Sequence, residues 1–405
     1  MKRPLSLFVL SLAFVACGSA TGVAQQLTET NYDQLVPAGK EVDAIYGDYA
    51  IGNKAAKAVV AAPKGTRNAN MTVRTVGGCL LDLAATEFES DQLSAFYPGR
   101  RKFPFTEATV KDGAVTVTSS GSDKRPKCEV TYRMAADQPI VEVTSVWTNT
   151  TKLDWTLALE DDLRADGGKE DMVKSPNGVH DLFYFHDIFW GQAYSVRATG
   201  FKIRTNSNSR ECVLTYQPVD EKPVIIKPGD SYAFQRQIIV GRNQPDVMAV
   251  ADELSGKSRC ESVRLSIDDS SQKRVVGARM EIRSAAGSRG TIVSDESGLA
   301  ATRLPVGDYT ASFSVDGIPL GGSPHEFTVK PNNSQTNMIN KPKLHRGLVS
   351  ASITDEAGNS IPAKVEFTGN GDTPTPNWGP ETAEHFVRNL AYTSDGKFAT
   401  SLRAG

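Results

Sequence analysis

The sequence predicts an all-β chain, a large antiparallel β-supersandwich followed by two small immunoglobulin- or transthyretin-like sandwiches. Three observations predict it. Apolar and polar residues alternate with period two through much of residues 43–243, turn-forming breakers recur between the alternating runs, and one turn-and-strand pattern appears twice in the last third of the 405 residues. Only one segment has helical periodicity. The organisation this implies is a leader at 1–24, the supersandwich at 27–242, a helix at 243–256, a first small sandwich at 262–330, a linker at 331–343 and a second small sandwich at 344–405.

From the N-terminus, residues 1–24 read as a secretory signal peptide. Lys2 and Arg3 give a positive end, and Leu5 to Ala16 is an apolar run broken only by Ser6 and Ser11, too short for a membrane span of about 20 residues. Two processing routes stay open. Gly22-Val23-Ala24 before Gln25 suits a signal peptidase, whereas Phe14-Val15-Ala16-Cys17-Gly18 resembles a bacterial lipobox, in which Cys17 is lipidated and becomes the new N-terminus. Phe14 departs from the aliphatic residue usual there, which favours plain export. Either route puts the chain outside the cytoplasm, periplasmic, secreted or lipid-anchored to the envelope. No later segment is long and apolar enough to form a transmembrane helix.

Lys and Arg number 45 against 47 Asp and Glu, and no block of like charge exceeds a few residues. This excludes the electrostatic footprint of a nucleic-acid partner. After the leader the cysteines are Cys79, Cys128, Cys212 and Cys260. An even count in an oxidising compartment permits two disulfides, in any of three pairings, and the alternative is small buried thiols. Cys79 sits in the apolar run Cys79-Leu80-Leu81, as a buried thiol would.

Within the supersandwich, Ala114 to Thr118, Glu129 to Arg133 and Ile140 to Val146 alternate cleanly, and Asp112-Gly113, Asp137-Gln138-Pro139 and Lys227-Pro228-Gly229-Asp230 separate strands. The helix has Pro245 at a first position, Val247, Val250, Ala251 and Leu254 on one face, and Gly256 to end it, so it predicts a cap packed on the sandwich. Each small sandwich opens with a strand, Val263 to Ile267 and Leu348 to Ile353, followed by a turn and an alternating run. The polar stretch Pro331 to Asn337 predicts a flexible joint. The second repeat also carries a Gly-, Pro- and Asn-rich insertion from Gly369 to Pro380 with Trp378 inside it, either a binding loop or slack. Gly298, Leu304 and Gly307 match Gly396, Leu402 and Gly405 at one offset, so the strand that should follow Gly405 is missing and the second sandwich is expected to be truncated.

Val276-Gly277-Ala278-Arg279-Met280-Glu281-Ile282, Ser294-Asp295-Glu296-Ser297-Gly298 and Leu304-Pro305-Val306-Gly307-Asp308-Tyr309 resemble the carboxypeptidase regulatory-like module, a small sandwich that usually serves as a spacer or fold-assisting unit. Gly47 to Asn53, Arg67 to Gly78, Ile353 to Gly358 and Ile361 to Phe367 resemble the exported accessory region ahead of PHP-type (CehA/McbA-like) metallohydrolase domains. Val146 to Thr150 and Ile226 to Ser231 are similar to galactose-mutarotase-like supersandwiches. The metallohydrolase resemblance implies a catalytic domain opening with a His-x-His pair. The five histidines, His180, His186, His325, His345 and His385, contain no such pair, so that domain is not in these residues. No cofactor is called for.

The densest aromatic stretch, His180 to Tyr194, supplies the candidate ligand site. In strand geometry Tyr184, His186, Ile188 and Trp190 share one face and Phe183, Phe185, Asp187 and Phe189 the other. A carbohydrate-binding face would use Tyr184 and Trp190 as stacking platforms, with His186 and Asp187 supplying hydrogen bonds; the competing expectation is that both faces pack in the core. Mutarotase-like chemistry would need a carboxylate from Glu160, Asp161 or Asp162 beside the imidazole of His186 or His180. His180 and His186 as a metal pair would lie on opposite strand faces. Arg67 and Arg74 are either anion ligands or surface charge, and Asp295 and Asp395 are expected to shape turns. The function expected is a non-catalytic targeting, scaffold or substrate-presenting region of an exported metal-dependent hydrolase. The alternatives are a carbohydrate-binding or mutarotase-like protein and a stand-alone envelope binding module.

Overall fold

The structure, a computed structural model, describes residues 22–165, 172–207, 211–268, 274–295, 297–315, 318–320, 323–332, 335–340, 346–373, 375–378 and 386–403. Most of the expected leader, with Cys17, lies outside them, as do His345, His385 and Gly405. Val23 and Ala24, at the end of that leader, pair with Gly52 and Ile51 in the first strand of the fold.

Alternation builds the large sandwich. In Lys127–Met134 every second side chain is buried, and Ile140–Thr148 continues the pattern from Val141 onward. These strands sit in an eight-stranded sheet ordered Met172–Lys174, Phe183–Asp187, Gln192–Arg197, Ser231–Gly241, Ile140–Thr148, Lys127–Met134, Ala114–Ser119 and Glu107–Lys111. The facing nine-stranded sheet runs Val23–Gln26, Tyr49–Gly52, Ala56–Val60, Leu80–Ala85, Leu93–Pro98, Glu160–Ala165, Glu211–Pro218, Phe201–Ser207 and Gly178–His180. One core fills the space between them, with Leu83, Phe96, Leu163 and Leu214 from one side and Val130, Val143, Phe185 and Ile238 from the other. Each such side chain contributes roughly 1.5–3 kcal/mol by leaving water. The all-β supersandwich expected from the sequence is therefore the fold.

One ion pair sits inside that core. Arg236 is 1% exposed and forks onto Asp161, Nε to Oδ2 at 2.8 Å and Nη2 to Oδ1 at 3.0 Å. Tyr216 Oη and the Gly99 amide also donate to Asp161, at 2.7 and 2.9 Å. Burial opposes the Arg236 charge, and the Asp161 carboxylate more than offsets it.

Leu80–Ala85 and Leu93–Pro98 do not alternate, being buried throughout. Residues 61–79 fold over their outer side, where Val73, Val76 and Cys79 pack on Leu81, Ala95 and Tyr97. Arg67, expected as an anion ligand or a surface charge, clamps that cover: it is 7% exposed and its Nη2 lies 2.7 Å from Asp48 Oδ2.

Helix Gln244–Leu254 follows, its N-terminus capped by Asn243, whose Oδ1 accepts the Asp246 amide, and Gly256 supplies the left-handed φ of 64° just past its end. Val247 and Ala251 pack on Ile140, Ala193 and Ile239 of the eight-stranded sheet. The opposite side of the helix binds the first small sandwich. Asn243 Nδ2 donates to Ala301 O at 2.9 Å, Thr302 Oγ1 donates to Asn243 Oδ1 at 2.7 Å, and Arg289 pairs with Asp252 at 2.9 Å.

That small sandwich places Leu299–Pro305, Cys260–Asp268 and Gln335–Asn340 against a second sheet built on Gly287–Val293, Arg279–Ser284 and Gly307–Val315. Leu265, Met280, Ile292 and Leu304 fill it. The expected linker differs: Gln335–Asn340 is a strand that pairs in parallel with Cys260–Asp268. In the last unit Arg346–Ser352 pairs with Lys397–Arg403, and Ala363–Glu366 with Leu390–Thr393. Trp378, in the expected insertion, packs edge-on to Phe367 at 5.1 Å, and Phe367 meets Phe398 at 5.7 Å. Asp295 accepts the Ser297 and Leu299 amides and Asp395 the Lys397 amide, so both shape turns.

Cys79, Cys128, Cys212 and Cys260 are free buried thiols rather than two disulfides. Burial raises all four, Cys128 to about 12 and Cys212 and Cys260 to about 11, which keeps them protonated and unreactive at neutral pH.

Candidate functional site

The aromatic stretch singled out in the sequence is a hairpin wedged between layers. Strand Phe183–Asp187 ends before Trp190, and residues 188–191 turn the chain, with the Gly191 amide on Asp187 O at 3.0 Å and the Trp190 amide on Asp187 Oδ1 at 2.9 Å. Trp190 therefore leaves the strand face that period two assigned it. Phe183 and Phe185 point into the core. On the other face the half-buried Tyr184 hydrogen-bonds Gln244 of the helix. His186 is 2% exposed, its Nδ1 has no hydrogen-bond partner, and burial, with the charge of Arg279 from the small sandwich, lowers it to about 3. Asp187 is fully buried, and Trp190 stands edge-on to Phe189 at 5.2 Å. These four residues adjoin one another without forming an open face.

The acids and the imidazoles of the proton-transfer reading are held apart. Glu160, Asp161 and Asp162 lie in the nine-stranded sheet, and His186 lies in the eight-stranded one. His180 is in the nine-stranded sheet, at its edge, with Nε2 at 2.8 Å from Pro176 O. His180 and His186 thus belong to different sheets. Among the described residues no three His, Cys, Asp or Glu side chains are grouped to hold a metal ion.

Alternation turns Asp161 into the core and Glu160 and Asp162 outward, where they hold a basic turn. Gly99, Arg100 and Arg101 all have left-handed backbone, with φ of 66°, 55° and 62°. For the two arginines this costs roughly 1–2 kcal/mol each. Hydrogen bonds offset it: Gly99 N to Asp161, Arg100 Nε to Asp162 Oδ1 at 2.9 Å, Arg100 Nη1 to Glu160 Oε2 at 3.2 Å, and Lys102 with Glu160. Arg101 lies 3.7 Å over the Tyr97 ring. Burial raises the Asp162 carboxyl, and Arg100 pulls it back.

This turn delivers Lys102 and Phe103 to a cleft. Its other walls come from a second basic turn and a short extra sheet. Ser122 and Arg125 close a two-residue hairpin around Asp123-Lys124, and Thr150 Oγ1 donates to both Ser122 O and Arg125 O at 3.0 and 3.1 Å. Strand Trp155–Leu157 pairs with Val224–Ile226 outside both large sheets. Asn149 fixes the approach, with Nδ2 on Leu153 O and Ile226 O at 2.8 and 2.7 Å. The elements converge at one end of the eight-stranded sheet, where Lys127, Thr148 and Ser231 stand in register. The cleft holds about 280 Å³ and is lined by Lys102, Phe103, Lys124, Arg125, Trp155 and Thr156, with Leu157 and Ala158. Leu157 and Ala158 also wall a second cleft of about 510 Å³ that adds Arg204, Thr215, Tyr216, Gln217 and Lys222.

Sequence reasoning missed these clefts. Their aromatic residues, Phe103, Trp155 and Tyr216, are scattered along the chain, and their cations come from turns and a strand far apart in it. The available signal was the pair of short basic runs, Arg100-Arg101-Lys102 and Lys124-Arg125, each followed by a proline within two residues.

No protein-family model and no curated protein matches the chain. Among solved structures it is similar to a TPR-domain-containing protein from Parabacteroides distasonis, at 9% identity and a TM-score of 0.38, over 57% of this chain and 55% of that one. The match thus spans little more than half of that protein's length. It is also similar to a galactose mutarotase-like protein from Lactobacillus casei, at 11% identity and TM-score 0.34, over 48% of this chain and 100% of that one. A putative aldose 1-epimerase from Escherichia coli K12 gives 10% identity and TM-score 0.34, over 48% and 99%. These likenesses are loose, and nothing about this chain's chemistry rests on them. The metallohydrolase resemblance finds no support in them.

Proposed function

We propose that the chain is a carbohydrate-binding, non-catalytic region that holds its ligand in the two clefts flanking strand Trp155–Leu157. The observation that carries this reading is the smaller cleft, which combines two aromatic rings, the half-buried Trp155 and the buried Phe103, with hydroxyl and cationic donors in a space at the lower end of small-ligand sites, about 300 Å³. An aromatic face with a few placed polar groups is what a sugar ring, apolar on its C–H faces and polar at its rim, needs from a protein. Proton transfer is not part of the proposal, because Glu160 and Asp162, the outward carboxylates of the acid run, are engaged by Arg100 and Lys102, with the buried His186 on the other sheet.

An envelope location and a place beside a metal-dependent hydrolase belong to the same proposal, supported by the leader-like residues 1–24 and the regulatory-like repeat. Titration calorimetry against a panel of oligosaccharides tests the binding claim. At least one oligosaccharide is expected to bind, and Trp155→Ala, in a variant with an unchanged circular dichroism spectrum, to weaken it about tenfold or more, as loss of a central aromatic contact does. Binding unaffected by that substitution contradicts the assignment.

A further inference from the structure

We infer that the ligand is a polyanionic carbohydrate, a chain carrying uronic-acid carboxylates or sulfate esters, laid across both clefts over the shared wall of Leu157 and Ala158. This rests on the proposal above and adds its chemical class. The smaller cleft is lined by three cations, Lys102, Lys124 and Arg125, and by no carboxylate. The larger adds Arg204 and Lys222 against one acid, Glu221. Of these five cations Lys102 is paired with Glu160 and Lys222 with Asp220, which leaves three, Lys124, Arg125 and Arg204, against Glu221 in a chain whose formal net charge is −2. Among the described residues Lys124, Arg125 and Arg204 make no ion pair, and their charges are available to a ligand.

Geometry favours a sugar chain over other polyanions. The two clefts adjoin across a shared wall, Leu157 and Ala158, which suits a linear polymer passing from one to the other. Trp155 is half-buried, and the other rings at the clefts, Phe103 and Tyr216, are buried, whereas a single-stranded nucleic acid wants successive open stacking surfaces. Thr156, Thr215 and Gln217 add hydroxyl and amide groups to the same linings, as sugar hydroxyls would need.

The test titrates the full chain with oligogalacturonate, a sulfated glycosaminoglycan fragment, neutral cello- and manno-oligosaccharides of equal length, and a single-stranded DNA oligomer. Acidic oligosaccharides are expected to bind and to lose about tenfold or more in affinity between low salt and 0.5 M salt, as screening shortens the reach of the charges. Lys124→Glu, at an exposed hairpin position, is expected to weaken them by about fivefold or more without changing the melting temperature, and Arg204→Glu to do the same from the second cleft. Neutral oligosaccharides bound as tightly as acidic ones, with no salt dependence, overturn this inference and leave the carbohydrate reading standing. Binding of neither class overturns both. DNA bound more tightly than any acidic oligosaccharide overturns both as well.

Discussion

Single residues fix the charges this fold can bury. Arg236 and Asp161 show the satisfied case, every polar contact being supplied inside the core. Arg236→Ala leaves Asp161 buried without its cation and is expected to cost about 3–5 kcal/mol, read as a lower urea midpoint. Asp82 and Asp91 show the unsatisfied case. Both are fully buried, and each has one carboxylate oxygen without a hydrogen-bond partner. Burial raises both, Asp91 to about 8, and mutual repulsion raises Asp82 further. The folded state therefore keeps a proton that the unfolded chain has released, so stability is greatest below about pH 4 for this pair and is lost as pH rises toward 8. His186 is neutral in the folded state throughout this range and acts oppositely only in acid, where folding forces it to stay unprotonated. Between pH 6.5 and 8 the wild type is expected to lose on the order of 1 kcal/mol per pH unit, and Asp91→Asn to flatten that slope in urea titrations. A wild-type slope of zero contradicts the shared-burial account.

Elements decide which of these residues meet. Helix Gln244–Leu254 is the bracket between the large sandwich and the first small one, and Asn243 serves it twice, as helix cap and as a hydrogen-bond partner of Ala301 and Thr302. Asn243→Ala is expected to cost about 1 kcal/mol for the cap alone. Calorimetry should show the small sandwich melting earlier while the large one keeps its transition; an unshifted trace would mean that the bracket is unimportant. The sequence made this helix legible, through Pro245, the Val247 and Ala251 stripe and Gly256. It made strands such as Lys127–Met134 legible too, because one face is core and the other is wet. It hid Leu80–Ala85, since a cover on its outer side removes the alternation. It also hid Gln335–Asn340, a polar stretch whose strand character comes from pairing with Cys260–Asp268 and not from its own pattern.

At the scale of the molecule, aromatic density and ligand access separate. Phe183 to Trp190 is rich in rings because both sides of that hairpin are covered, by the core on one and by the helix and small sandwich on the other. The half-buried Trp155 meets the clefts from an accessory two-stranded sheet between two basic turns, and its neighbours cannot be read from spacing, because they arise from register across the sandwich. The central claim is that the ligand sits in those clefts. Hydrogen exchange of the full chain with and without oligogalacturonate tests it most directly. Protection of amides in residues 99–103, 121–127 and 153–158, with residues 183–197 unchanged, is the result predicted. Protection confined to 183–197, or elsewhere away from strand Trp155–Leu157, would contradict it.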